Sequence, residues 1–136
     1  TAVGSIYAEA SSLWTVANSS NSLVRYTGGA ALFVVTAAAS TTMSSNDGTT
    51  QITASGLTDL STGSRKRACA FGGSTFSVTG DGVAPTSGAF DGSMGTNTVI
   101  AIGCDSGGAS QLYGTIKNVR VWQRQLPDQT LRALTV

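Results

Sequence analysis

At 136 residues the chain is long enough for one domain, which would bury roughly two-thirds of its unfolded surface and fold without metal or disulfide. Charged residues make up 11% and the net charge is +1, far from the ~25% of an ordinary soluble domain, which argues against nucleic acid as a partner. Histidine is absent, so the commonest general base, the physiological pH switch and the usual zinc ligand are all missing.

Apolar residues recur with period two, broken by clusters of Gly, Asn, Asp and Ser, which is the pattern of an all-β sandwich. Residues 5–10 predict a first strand, with Ile6, Ala8 and Ala10 on one face and Tyr7 and Glu9 on the other; Trp14 to Val16 extend it. A second strand is expected over residues 22–26, and the apolar run 31–37 is short enough for a buried strand. Asn46-Asp47-Gly48 is the sharpest hairpin signal, because these residues tolerate positive φ.

Residues 51–54 start the next strand and residues 56–63 are a loop. Residues 65–71 and 74–79 read as a hairpin around Gly72-Gly73, followed by a turn at Gly80-Asp81-Gly82. The basic run Arg65-Lys66-Arg67 is expected to be a solvated edge. Residues 83–97 read as loop, with Phe90 and Met94 covering core, before a strand over residues 98–102 and a loop from Asp105 to Gly108.

The last strand carries a phase slip. Leu112, Gly114 and Ile116 share one parity, while Val119 and Val121 take the other. A β-bulge near Lys117-Asn118 would return both sets to the core. Pro127 fits a first helical position and Asp128 complements a helix N-terminus, so Leu131 and Leu134 dock a short helix on the sandwich. Neither an internal repeat nor a domain boundary interrupts residues 1–136.

Three blocks carry a family resemblance: Gly4-Ser5-Ile6-Tyr7-Ala8-Glu9; residues 65–82; and Ile102-Gly103 with Tyr113-Gly114-Thr115-Ile116 through the closing Leu126-Pro127-Asp128 and Leu131, Leu134 and Thr135. In this order they resemble concanavalin A-like (laminin G-type) lectin/glucanase domains, especially those of bacteriophage virion proteins. The resemblance implies an antiparallel β-sandwich (jelly roll) with a short C-terminal helix. It further implies a non-enzymatic virion structural protein (capsid decoration, head fibre or tail fibre), assembled in the host cytoplasm and displayed on the virion surface. The partners are then other virion subunits in a homo-oligomer, which suits a low-charge surface. The alternative is a glycan-binding module for a host-surface receptor, and a third reading is a degenerate glucanase-like hydrolase. Fold alone does not choose among them.

The residues weigh against catalysis. Glycoside hydrolysis needs two carboxyls flanking the bond, roughly 5–10 Å apart. Glu9 is the single glutamate, and the aspartates mostly lie beside Gly, where they serve turn geometry. Cys69 and Cys104 have no metal-ligand spacing; they are expected to be buried free thiols, a bridge requiring their strands to face each other. Asp81, Asp91 and Asp105 are the calcium candidates, without an Asp-x-Asp-x-Asp cluster, so no metal or cofactor is expected. For sugar binding the aromatic candidates are Trp14, Tyr26, Tyr113 and Trp122, whose other use is to cover core or an interface. No apolar run reaches the ~20 residues of a membrane span, and TAVGSIYAE lacks a signal-peptide pattern, so membrane insertion is not expected.

Overall fold

The structure, a computed structural model, describes residues 3–12, 21–26, 31–36, 42–46, 50–92, 100–104 and 111–136, with 21–22, 25–26, 31–36 and 45–46 described by backbone alone. Its elements are β1 (Gly4–Ser12), β2 (Asn21–Tyr26), β3 (Ala31–Thr36), β4 (Thr42–Asn46), β5 (Gln51–Ala54), β6 (Arg65–Gly72), β7 (Thr75–Gly80), β8 (Thr86–Ala89), β9 (Ile100–Ile102), β10 (Gly114–Trp122) and the helix α1 (Asp128–Leu134). The strands form two five-stranded sheets, in the orders β10-β1-β6-β7-β8 and β5-β4-β3-β2-β9. Every pairing among the described strands is antiparallel. This is the expected β-sandwich with a short C-terminal helix. Expectations for Trp14 to Val16, Asp47-Gly48, Met94 and Asp105 to Gly108 lie outside the described residues.

Alternation along each strand builds the core between the sheets. Ile6, Ala8 and Ala10 of β1 meet Cys69 and Phe71 of β6, Phe76 and Val78 of β7, and Leu23, Val24, Met43, Ile52 and Ala54 of the second sheet. Phe90 closes one end, edge-on to Phe71 at 5.8 Å and tilted to Phe76 at 6.1 Å, spacings at which aromatic pairs attract. The loop over residues 56–63 is not only a loop: Leu57 and Leu60 enter the core, and Leu60–Thr62 form a 3-10 turn capped by the Asp59 carboxylate.

The outer face of the first sheet is covered too. Tyr7, Ala68 and Ala70 pack beneath Leu126 and Leu131, with Trp122 and Leu134 at the margin. Strand β6 is therefore apolar on both faces, Ala68 and Ala70 outward and Cys69 and Phe71 inward. Both predicted helix contacts, Leu131 and Leu134, are made, although Pro127 stands at the N-cap with φ −61° and ψ 149°, one position before the first helical residue.

The bulge in β10 is present. Tyr7 pairs with Arg120 and Glu9 with Lys117, leaving Asn118 and Val119 opposite Ala8. Asn118 takes φ 53°, a left-handed conformation that Asn adopts more readily than most residues. The extra residue brings Ile116 and Val119 to the same core. Val121 does not follow: it is 48% exposed, near the end of the outermost strand of its sheet.

Two further readings need correction. Arg65-Lys66-Arg67 is not a solvated edge, because β6 lies at the centre of its sheet and Arg67 is buried. Strand β8 falls inside the expected loop; its sequence, TSGA, has no apolar alternation to announce it. Cys69 (buried) and Cys104 (half-buried) are not joined in a disulfide. Among the described residues, no helix is long and apolar enough to cross a membrane.

Candidate functional site

The segment from Arg124 onward crosses the outer face of the first sheet and is fixed at both ends. The Ser5 hydroxyl donates to Arg124 O (2.8 Å) and accepts from Leu126 N (2.8 Å). At the far end, Arg132 Nε donates to Gly82 O (2.7 Å), and Gly82 N donates to the Thr135 hydroxyl (3.2 Å). A polar groove lies at each end of this segment.

The first groove, about 350 Å³, is lined by Thr58, Ser64, Arg65, Lys66, Asp81, Thr135 and Val136. Asp81 contributes no free negative charge there. Its Oδ1 accepts from Arg67 Nη1 at 2.6 Å and its Oδ2 from Thr58 N at 2.7 Å. Arg67 Nη2 donates to Thr58 O at 2.7 Å. Arg67 is 1% exposed, and burial pushes its guanidinium below the usual range while Asp81 opposes that shift. The cations that border the groove are thus Arg65 and Lys66, of which Lys66 Nζ already donates to Val136 O at 2.5 Å. Arg65 Nη2 donates to the Thr62 hydroxyl at 2.7 Å, whereas its Nε is buried without a hydrogen-bond partner.

The second groove, about 420 Å³, lies between β7, β8 and the residues leading into α1. The hydroxyls of Ser77 and Ser87 are 2.8 Å apart, and Ser87 Oγ donates to Asp128 Oδ2 at 3.3 Å. Gln125 Nε2 donates to Thr75 O and Thr75 Oγ1 at 3.2 and 3.1 Å. Leu126 and Pro127 supply the apolar part of its wall.

The aromatic candidates do not form one platform. Trp122 is half-buried in the cluster beneath α1. Tyr113 is 55% exposed, and its neighbour Leu112 donates to Gly103 O, just past β9. Nine residues of one strand separate Tyr113 from Trp122, roughly 25–30 Å, too far for both rings to touch one sugar. Tyr26 is placed by backbone only, paired with Ile100, and Trp14 lies outside the described residues. Among the calcium candidates, both oxygens of Asp81 are committed, Asp91 is exposed and Asp105 lies outside the described residues. The described residues contain no group of three or more His, Cys, Asp or Glu able to hold a metal ion.

Glu9, the lone glutamate, is committed to structure. It accepts from Ser64 Oγ (2.7 Å), from Asn118 Nδ2 (2.8 Å) and from Lys117 Nζ (3.2 Å). These partners, Ser64 foremost, pull its pKa from 4.5 down to about 2. A glycosidic general acid needs the opposite shift. Because the folded value lies below the unfolded one, the stabilisation is fully present above about pH 4.5 and fades as pH falls toward 2. Acid unfolding of Glu9→Gln, followed by circular dichroism, should therefore lose part of the wild-type pH dependence in that window.

The grooves could not be read from sequence as sites. Ser77, Ser87 and Gln125 come from separate elements, and their only sequence signal is an abundance of small polar residues. Asp128 was legible, but as a helix-start residue.

A family model described as the concanavalin A-like lectin/glucanases superfamily matches residues 6–132. Among solved structures, the chain is similar to the CBM40 of the Ruminococcus gnavus IT-sialidase bound to α2,3 sialyllactose, at 17% identity and TM-score 0.72, covering 99% of this chain and 83% of that one. The same CBM40 bound to α2,6 sialyllactose gives 16% identity and TM-score 0.74, covering 99% and 84%. The leech intramolecular trans-sialidase complexed with 2,7-anhydro-Neu5Ac gives 16% and 0.71, over 98% of this chain but 23% of the larger enzyme. No curated protein sequence matches the chain. At such identities the structural likeness speaks to fold, and the family match covers nearly the whole domain: the chain belongs to the concanavalin A-like lectin/glucanases superfamily.

Proposed function

We propose that this domain is a glycan-binding module whose first groove takes the acidic group of a sugar. The observation that carries the reading is the pairing of Arg65 and Lys66 in one hydroxyl-bordered groove, where the nearest acid, Asp81, is neutralised by Arg67. A guanidinium is suited to a carboxylate, because its planar edge can donate two parallel hydrogen bonds to the two carboxylate oxygens. The hydroxyl oxygens of Thr58, Ser64 and Thr135 add acceptors for the ring hydroxyls, the protons of Ser64 and Thr135 being given to Glu9 and Arg132 O. The similar CBM40 structures with bound sialyllactose support this ligand class. Virion docking, the other expectation, rests on composition and a resemblance; none of the similar proteins described above is a virion protein.

The test is calorimetric titration with 3′-sialyllactose. The wild-type domain should bind saturably, and the Arg65→Ala/Lys66→Ala double variant should lose about tenfold or more in affinity, as removal of charge-assisted hydrogen bonds implies. Unchanged affinity in a folded double variant would remove this groove as the site. A wild-type domain that binds neither sialyllactose nor a uronic-acid disaccharide would remove the acidic-sugar reading.

A further inference from the structure

We infer that the second groove, between β7–β8 and the start of α1, is a separate site for a neutral pyranose, recognised through its vicinal hydroxyls. The inference rests on geometry unrelated to the basic groove and stands whether or not that groove binds acidic sugars. Its volume, about 420 Å³, falls in the range of small-molecule sites. The polar groups are of the kinds that suit a sugar. Asp128 offers a carboxylate, which accepts two hydroxyl protons at once. The exposed Ser87 hydroxyl, backed by the buried Ser77 at 2.8 Å and donating to Asp128, keeps a lone pair that can accept from a sugar hydroxyl. Gln125 is held in place by its two bonds to Thr75, so its orientation is set before any ligand arrives.

The arrangement also has a weak link where a ligand would enter. Ser87 reaches Asp128 at 3.3 Å, beyond the usual O–H···O distance of about 2.7–2.8 Å. A ligand hydroxyl inserted at Asp128 replaces that long bond with a short charge-assisted one. Pro127 then gives the C–H face of the ring an apolar wall. Among the described lining residues there is no cation, so an acidic sugar gains nothing here and would face the charge of Asp128.

The experiment is a titration of the isotope-labelled domain with lactose, maltose and mannobiose, followed by amide chemical shifts. At least one of these should produce saturable shifts centred on Ser77, Ser87, Gln125 and Asp128. Asp128→Asn and Ser87→Ala should each weaken that binding by about fivefold or more, while Arg65→Ala/Lys66→Ala leaves it unchanged. Both single substitutions lie at exposed or partly exposed positions, and the spectra themselves report folding. Absence of saturable shifts with all three sugars would overturn the inference, as would shifts confined to Arg65 and Lys66 or binding unaffected by both groove variants. If sialyllactose fails to bind but a neutral sugar shifts the second groove, the acidic-groove reading falls and this one remains.

Discussion

Asp81→Ala should destabilise the domain by about 3–5 kcal/mol, the cost of leaving a buried charge without its partner. Arg67 stands on the core face of β6, opposite Ala8, with 1% of its side chain exposed. Its guanidinium binds Asp81 Oδ1, Thr58 O and Lys66 O at 2.6, 2.7 and 3.1 Å. Removing Asp81 also frees Thr58 N, so the loop before the 3-10 turn loses an anchor. The turn itself suffers, because Asp81 sits at φ 51°, where Asp is tolerated better than Ala. Asp81→Asn separates these effects: it keeps the turn preference and a carbonyl acceptor but loses the charge, so it should fall between wild type and Ala. Urea unfolding measures all three. A loss below about 1 kcal/mol for Asp81→Ala, the range of exposed pairs, would mean that water reaches Arg67 and that the pair is not an internal one.

Gly114→Ala is the second large effect. Gly114 opens β10 and pairs with Ser12 of β1. A methyl group there would overlap the Ser11 carbonyl oxygen and lie 2.7 Å from Ser12 Cα and 2.8 Å from the Ser11 carbonyl carbon. These are main-chain atoms, so no rotamer change relieves the clash and the two strands must part. Overpacking ordinarily costs about 1–3 kcal/mol, and a backbone clash belongs at or above the upper end. The damage should be local. Hydrogen exchange is expected to show lost protection in the β1–β10 pairing from Ser12 to Glu9, with the β6–β7 hairpin still protected. Equal loss in both would show that β10 is not a separable edge strand.

What the sequence revealed depended on periodicity. Strands β1, β7 and β10 alternate strongly enough to be read directly, β6 is legible as the partner of β7 across Gly72-Gly73, and the bulge at Asn118 is legible because parity changes between Ile116 and Val119. Strand β8 was hidden, since Thr-Ser-Gly-Ala carries no apolar signal and is defined by its register with β7. Arg67 was hidden for a different reason: its burial depends on Asp81 and the carbonyl of Thr58, and a basic triplet looks solvated until those partners are placed. The grooves were least legible. Each joins residues far apart in the chain, such as Ser64 with Thr135 and Ser77 with Gln125, and hydroxyl side chains have no sequence pattern that marks a shared wall. Aromatic residues drew attention by type, yet Trp122 is used to seat the C-terminal helix.

The central claim is glycan binding with an acidic-sugar preference, and an array carrying sialylated, uronic-acid, sulfated and neutral glycans tests it most directly. The acid-bearing glycans should retain the domain most strongly, and added salt should weaken that retention as it screens Arg65 and Lys66. An array on which no acid-bearing glycan retains the domain above the neutral ones would contradict it.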